Sequence, residues 1–253
     1  MRIKWITAIC LFLCAIGIPI SGMSQQLDPD LFQPSSLVSR ETAEKQLSKI
    51  YHTSGKFRTL HCGCVFDKLK QVFPNICEQG PKPVSQDVKP INLEWVNMMP
   101  AHVFGKFLKC WNKPLCSRRG GNKVSGQQCC SEVSPKFKKL ESDMHNIFPA
   151  VEKPSSMKEN FDFGGRWEYE FCPLEGNALS ANIKGDAARA HFYMSYLYKL
   201  PLQEKLEDSL RKWHFEDPPD EWELKRNDMI EVIQGNRNPF IDQPELVERV
   251  ADF

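Results

Sequence analysis

The residues best placed to do chemistry fall into three groups. The first is cysteine: Cys62, Cys64, Cys77, Cys110, Cys116, Cys129, Cys130 and Cys172 all lie beyond residue 24. His61-Cys62-Gly63-Cys64 has one residue between its cysteines, where a zinc-chelating loop usually has two to four. Adjacent Cys129 and Cys130 point to separate disulfide partners. Up to four disulfides are expected, in pairings that spacing alone does not resolve. The second group is basic. Between Phe104 and Leu140 nine lysines and arginines, among them Lys106, Lys109, Arg118, Arg119, Lys138 and Lys139, face one acid, Glu132, for a local charge of +8. With Trp111 inside it, such a segment suits a phosphate-rich ligand. The bland alternative is a solvated surface neutralised by residues 201–253, whose charge is −7. The third group is Glu94, Asn97, His102, His145 and Asn146, side chains able to hold a cation or move a proton.

The N-terminus sets the compartment. Met1-Arg2-Ile3-Lys4 is basic, Trp5 to Ile20 carries no charge, and Gly22-Met23-Ser24 offers small residues before Gln25. This is the pattern of a cleaved secretory signal over residues 1–24. Removing Arg2 and Lys4 from 33 basic residues leaves 31 against 32 acidic, a net charge of −1. There is no global basic excess, and 41% hydrophobic with 26% charged residues excludes a disordered or multispan membrane protein. An oxidising destination makes disulfides the expected fate of the eight cysteines.

The elements that must position these groups are mainly helical. Ser39 can cap a helix from Arg40 to Tyr51 with Ala43, Leu47 and Ile50 inward. Val65-Phe66-Asp67 and Ile91 to Trp95 read as strands, and Pro100 ends any element entering Met98-Met99. Residues 78–90 and 149–165 read as loops, and 112–135 as a long exposed loop pinned by disulfides. Helices are expected over Lys136–Asn146, with Phe137, Leu140 and Met144 inward. Others are expected over Ala187–Leu200, Gln203–Trp213 and Asp220–Gln234, the last stopped by Gly235. Gly235-Asn236-Arg237-Asn238-Pro239 is turn chemistry, with Arg237 anchoring a loop through backbone carbonyls. Asn146 could simply cap the helix that it ends.

Several stretches in order resemble the bacterial endonuclease I family of periplasmic and secreted nonspecific nucleases. They are Cys62-Gly63-Cys64 with Asp67, Glu94-Trp95 with Pro100-Ala101, Phe104-Gly105, and Glu141-Ser142-Asp143-Met144-His145-Asn146 with Pro149. Gly185-Asp186-Ala187-Ala188-Arg189-Ala190-His191-Phe192-Tyr193-Met194, Trp222-Glu223, and Arg226-Asn227 through Gln234 to Pro239 complete them. The resemblance spans about residues 60–242. It implies a signal peptide over 1–24, a leader and helix over 25–59, and a domain over 60–253. The fold expected is α+β, a mainly helical single domain wrapped around a ββα-metal (His-Me finger) motif and stapled by disulfides. The activity implied is hydrolysis of DNA or RNA with Mg²⁺ or Mn²⁺ and without sequence preference. The implied protein is a monomer, periplasmic or secreted, and off the membrane once the signal is cleaved.

The resemblance fails at two positions. The family reads Glu-Trp-Glu-His where this chain reads Glu94-Trp95-Val96-Asn97, so the metal Glu falls on Val96 and the base His on Asn97. Asn146 stands as the retained metal ligand, Arg118 as the candidate arginine, His102 as a compensating base and Glu94 as a compensating ligand. An amide has no useful basicity near neutral pH, and valine has no oxygen to offer a cation. Activity is therefore expected to be impaired. The alternative is an inactive nuclease-derived protein that binds nucleic acid or another partner, with no metal.

Overall fold

A computed structural model of the chain describes residues 28–60, 62–78, 89–118, 120–152, 167–169, 172–174 and 183–253, without the side chains of 167–169 and 172–174. The expected signal over 1–24, most of the 78–90 loop, and residues 153–165 of the 149–165 loop lie outside the described residues, as do His61 and Arg119.

Helix α1 (Arg40–Ser54) starts where expected because the Ser39 side chain accepts the Thr42 N–H at 3.2 Å. It ends at Gly55 in the left-handed conformation, φ 72°. Ala43, Leu47 and Ile50 are buried, as the spacing predicts. They face an antiparallel sheet of strands β1 (Val65–Phe66), β2 (Gln71–Phe73), β3 (Ile91–Asn97) and β6 (Ile147–Val151), ordered β1-β2-β3-β6. Trp95 lies opposite Pro149 and Asn97 opposite Ile147. Pro149 lacks an N–H, which the edge strand β6 tolerates. Its carbonyl accepts the Leu60 N–H at 2.7 Å.

Side chains alternate across β3. Leu93 and Trp95 join the α1 residues, with Tyr51 edge-on to Trp95 at 5.6 Å, and Ile230 of α8 (Glu221–Gln234) closes that cluster. On the opposite face Val96, Met98 and Phe148 pack against Ala187 and Ala190 of α6 (Lys184–Tyr198). The sheet is thus held between α1 and α8 on one face and α6 on the other. A second core gathers α2 (Ala101–Gly105), α3 (Lys109–Asn112), α4 (Gln127–Val133), α5 (Pro135–Glu141), α6, α7 (Glu204–Glu216) and α9 (Pro239–Asp242) around Phe104, Phe137, Phe192 and Phe240. Among the described residues no helix is long and apolar enough to cross a membrane.

Two expectations need correction. Residues 112–135 are not one open loop. They hold a hairpin of β4 (Cys116–Ser117) and β5 (Lys123–Val124), then α4. Cys110–Cys130 and Cys116–Cys129 draw this segment together, so the adjacent cysteines do take separate partners. Cys64–Cys77 staples the strand segment, and Cys62 is also half of a disulfide. The side chain of Cys172, in β8 (Cys172–Leu174) beside β7 (Trp167–Tyr169), lies outside the described set.

The second correction concerns Lys136–Asn146, which is not one helix. Helix α5 stops at Glu141, and a separate 3-10 turn covers Met144–Asn146. Asp143 accepts the His145 N–H at 3.0 Å and Gln234 takes the Met144 N–H at 2.8 Å. Donors that would continue the helix are thereby diverted. The same Asp143 carboxylate, fully buried, also accepts from the hydroxyls of Tyr193 and Tyr198 and from the Gln234 amide. It ties α6, α8 and the turn into one network.

The remaining helices shift by a few residues at their ends. Asp220 caps α8 in a capping box with Glu223, and Gly235 ends it at φ 78°. A side chain at Gly235 would also run into Ser35.

Candidate functional site

The end of β3 carries the first candidate site. Arg40 opens α1 directly after its cap, and Glu44 one turn on holds its Nε at 2.7 Å. The guanidinium then reaches across to the strand. It donates to Asn97 Oδ1 at 2.7 Å, to the Glu141 carbonyl at 2.6 Å and to the Trp95 carbonyl. Asn97 donates its own Nδ2 to the Glu141 carbonyl at 3.3 Å. Both ends of the Asn97 amide are therefore bonded inside the protein. The buried Glu141 carboxylate accepts from Ser131 at 2.7 Å. Burial raises its pKa, against the Ser131 hydrogen bond and the Arg40 charge. Val96 points to the opposite face, into the apolar cluster with Phe148 and Met98. Arg40 and Glu141 escaped the site prediction, although Ser39 before Arg40 and Glu44 four residues on were visible signals.

Asn146 does something other than cap a helix. Its Oδ1 accepts the Met99 N–H at 2.7 Å and its Nδ2 donates to the Met99 carbonyl at 3.1 Å. The side chain is fully buried. It sits on the turn before β6, so it fastens the sheet to the entry of α2. Strands β3 and β6 pair antiparallel, and residues 153–166 after them lie outside the described residues.

The other candidates are dispersed. Glu94 is half-buried on the Val96 side of β3, opposite Ala150. His102 is half-buried in the first turn of α2. Exposed Arg118 donates to Gln128 Oε1 at 2.7 Å and bonds no group at the end of β3. His145 is buried against Tyr193, with Nε2 3.2 Å from the Asn236 carbonyl, and burial pushes its pKa down to about 4. Arg237 anchors its turn through the carboxylates of Asp228, Glu231 and Asp242, not through the expected carbonyls.

Among the described residues no three His, Cys, Asp or Glu side chains are grouped to hold a metal ion. Mg²⁺ prefers an anionic oxygen. Val96 offers none, and Asn146 is a neutral amide whose oxygen already accepts the Met99 N–H. Val96, Asn97 and Asn146 thus supply no anionic oxygen to a divalent cation.

The second candidate site is the basic surface. Lys106, Lys109 and Lys138 are exposed and form no ion pair among the described residues. Lys139 differs. It is half-buried, donates to Gln33 at 3.1 Å and lies 5.4 Å from the centre of the Tyr198 ring. Among the described residues the acidic C-terminal part forms no ion pair with this surface. Its carboxylates pair with Arg211, Lys212 and Arg237 of the same part, and Glu223 with Arg189.

Fold and site together define a disulfide-stapled α+β protein with an unpaired basic surface and a strand end closed by internal hydrogen bonds. The chain belongs to the endonuclease I family, whose model, described as Endonuclease I, matches residues 45–245. An extracellular deoxyribonuclease of Aeromonas hydrophila is 32% identical over 213 residues, 79% of this chain and 86% of that relative. A periplasmic deoxyribonuclease of the same species is 31% identical over 241 residues, 90% of this chain and 96% of the relative. An extracellular ribonuclease of Bacillus subtilis (strain 168) is 35% identical over 133 residues, 43% of this chain and 46% of the relative.

Proposed function

We propose that this protein is exported and, as a monomer, binds DNA or RNA through phosphate contacts without sequence preference. In this proposal it has lost the family's metal-dependent hydrolysis at the end of β3. One observation carries the loss: Asn97, in the place of the base, is held between Arg40 and the Glu141 carbonyl. Val96, in the place of the metal carboxylate, packs in an apolar cluster. General base catalysis contributes about 10²–10⁴-fold, and an amide cannot supply it. Losing the anionic oxygen lowers the rate further. Binding rests on the exposed lysines, which release counterions from a phosphate backbone. Export is supported by the N-terminal pattern and by relatives named extracellular or periplasmic.

The test is digestion of plasmid DNA and of RNA by the protein purified from the periplasm of an expression host, with Mg²⁺, Mn²⁺ or EDTA. The same preparation is assayed for retarded migration of the nucleic acid. Binding without cutting is expected. Cutting that EDTA abolishes would overturn the loss and turn attention to His102 and Glu94. If only Val96→Glu with Asn97→His cuts, the defect lies at these two positions.

A further inference from the structure

We propose that Phe107 is a stacking platform for an unpaired base, which makes the turn between α2 and α3 a subsite for single-stranded nucleic acid. The inference rests on the nucleic-acid reading above and names the strand state that this surface selects.

Phe107 is 64% exposed. A lone exposed phenylalanine is ordinary; its surroundings are not. Lys106 Nζ lies 5.1 Å from the centre of the ring, and Lys109 at the start of the next helix and Lys113 just past its end are exposed. No acidic residue occurs between Phe104 and Ser131. An aromatic face beside cations that track a phosphate backbone is the pairing that binds single strands.

The turn is also anchored. The Leu108 N–H donates to the Gly105 carbonyl at 2.8 Å, and Asn112 Nδ2 donates to the Lys106 carbonyl at 2.6 Å. Gly105 packs directly on Trp111: a Cβ there would lie 2.2 Å from the indole ring. Trp111 in turn packs on Phe137 at 5.9 Å, and Cys110–Cys130 pins α3 to α4. A ring carried on an anchored backbone loses less freedom on stacking than one on a free loop. Duplex bases already stack on each other, so the ring discriminates in favour of unpaired ones.

The test is fluorescence anisotropy of the full protein with labelled dT12 and with a labelled hairpin duplex at one salt concentration. Phe107→Ala is expected to weaken dT12 binding about 5- to 100-fold, the range of one lost base–aromatic stack, and to leave the duplex within about twofold. Phe107→Trp should keep or tighten dT12 binding. An unchanged circular dichroism melt controls for folding. If Phe107→Ala leaves dT12 binding unchanged while Lys109→Ala with Lys113→Ala weakens it, stacking is wrong and the nucleic-acid reading stands. Equal weakening toward dT12 and duplex overturns the single-strand selectivity. If the wild type binds neither probe, the nucleic-acid reading fails and this inference falls with it.

Discussion

At the end of β3, Arg40 and Asn97 use their polar atoms on each other and on main-chain carbonyls, whereas across α2 to α5 Lys106, Lys109, Lys113 and Lys138 stand in solvent without an ion-pair partner among the described residues. The first arrangement resists change, because a buried polar atom stripped of its partner costs about 1–3 kcal/mol. The second is nearly indifferent to substitution for stability, but its charges are available to a ligand. A groove that must admit a cation and a phosphate leaves donors and acceptors open to them. At the end of β3 both polar atoms of the Asn97 side chain already hold an internal partner. The contrast is what assigns structure to one region and binding to the other.

Acid should separate the buried interior from the basic surface by the largest margin. His145 and His191 are fully buried, and burial pushes each pKa from 6.5 down to about 4. Arg226 and Arg237 further oppose charging of His145, while Asp143 favours it. Above pH 6.5 both imidazoles are neutral in either state and the fold carries no penalty. As pH falls below 6.5 the unfolded chain takes up protons that the fold refuses, down to about pH 4. Stability is lost over that window at about 1.4 kcal/mol per pH unit for each histidine. The lysines keep their charge throughout. Urea midpoints measured at pH 7, 6 and 5 should fall steadily, and His145→Gln should flatten the trend. A His145→Gln protein whose midpoint falls with pH as steeply as the wild type's would contradict the burial of this ring.

Next in size is Arg40→Met. It leaves Asn97 Oδ1 and the Trp95 carbonyl without their donor and weakens the tie at Glu141, at a cost of about 2–3 kcal/mol. Thermal melts should show it, and affinity for nucleic acid should stay within about twofold. An Arg40→Met protein as stable as the wild type would mean that the clamp is incidental, and the reading of the end of β3 as structural would lose its main support.

The legible parts of the chain were those where local chemistry decides. Ser39, Asp220 and Gly235 mark helix ends through backbone hydrogen bonds formed within a few residues, and α1 and α8 appear where these signals place them. The strand-like run Ile91 to Trp95 falls within β3, although its hydrogen bonds go to the distant strands β2 and β6. The illegible parts depend on distant partners. Nothing near residue 142 announces that Gln234 will take the Met144 N–H and split a helix. The loop from 112 to 135 hides α4 because its order comes from two disulfides. At the candidate site the substitutions at Val96 and Asn97 were visible. The reach of Arg40 across 57 positions to Asn97 was not, since only the packing of α1 on the sheet brings them together.

The smallest effect is the most discriminating for the basic surface. Each lysine that meets a phosphate contributes about 0.7–0.9 to the slope of log affinity against log salt. Replacing Lys109, Lys113 and Lys138 together with alanine should lower that slope by about 2–3 units and leave stability within about 0.5 kcal/mol. Lys139→Ala is the internal control. Its ammonium is engaged by Gln33 and lies over Tyr198, so its loss should cost stability and barely alter the slope. Were the surface charge merely solvating, all four lysines would behave alike and the slope would not change. A lowered slope for the triple variant with an unchanged slope for Lys139→Ala requires phosphate contacts at the exposed lysines, because general electrostatics would weight Lys139 equally.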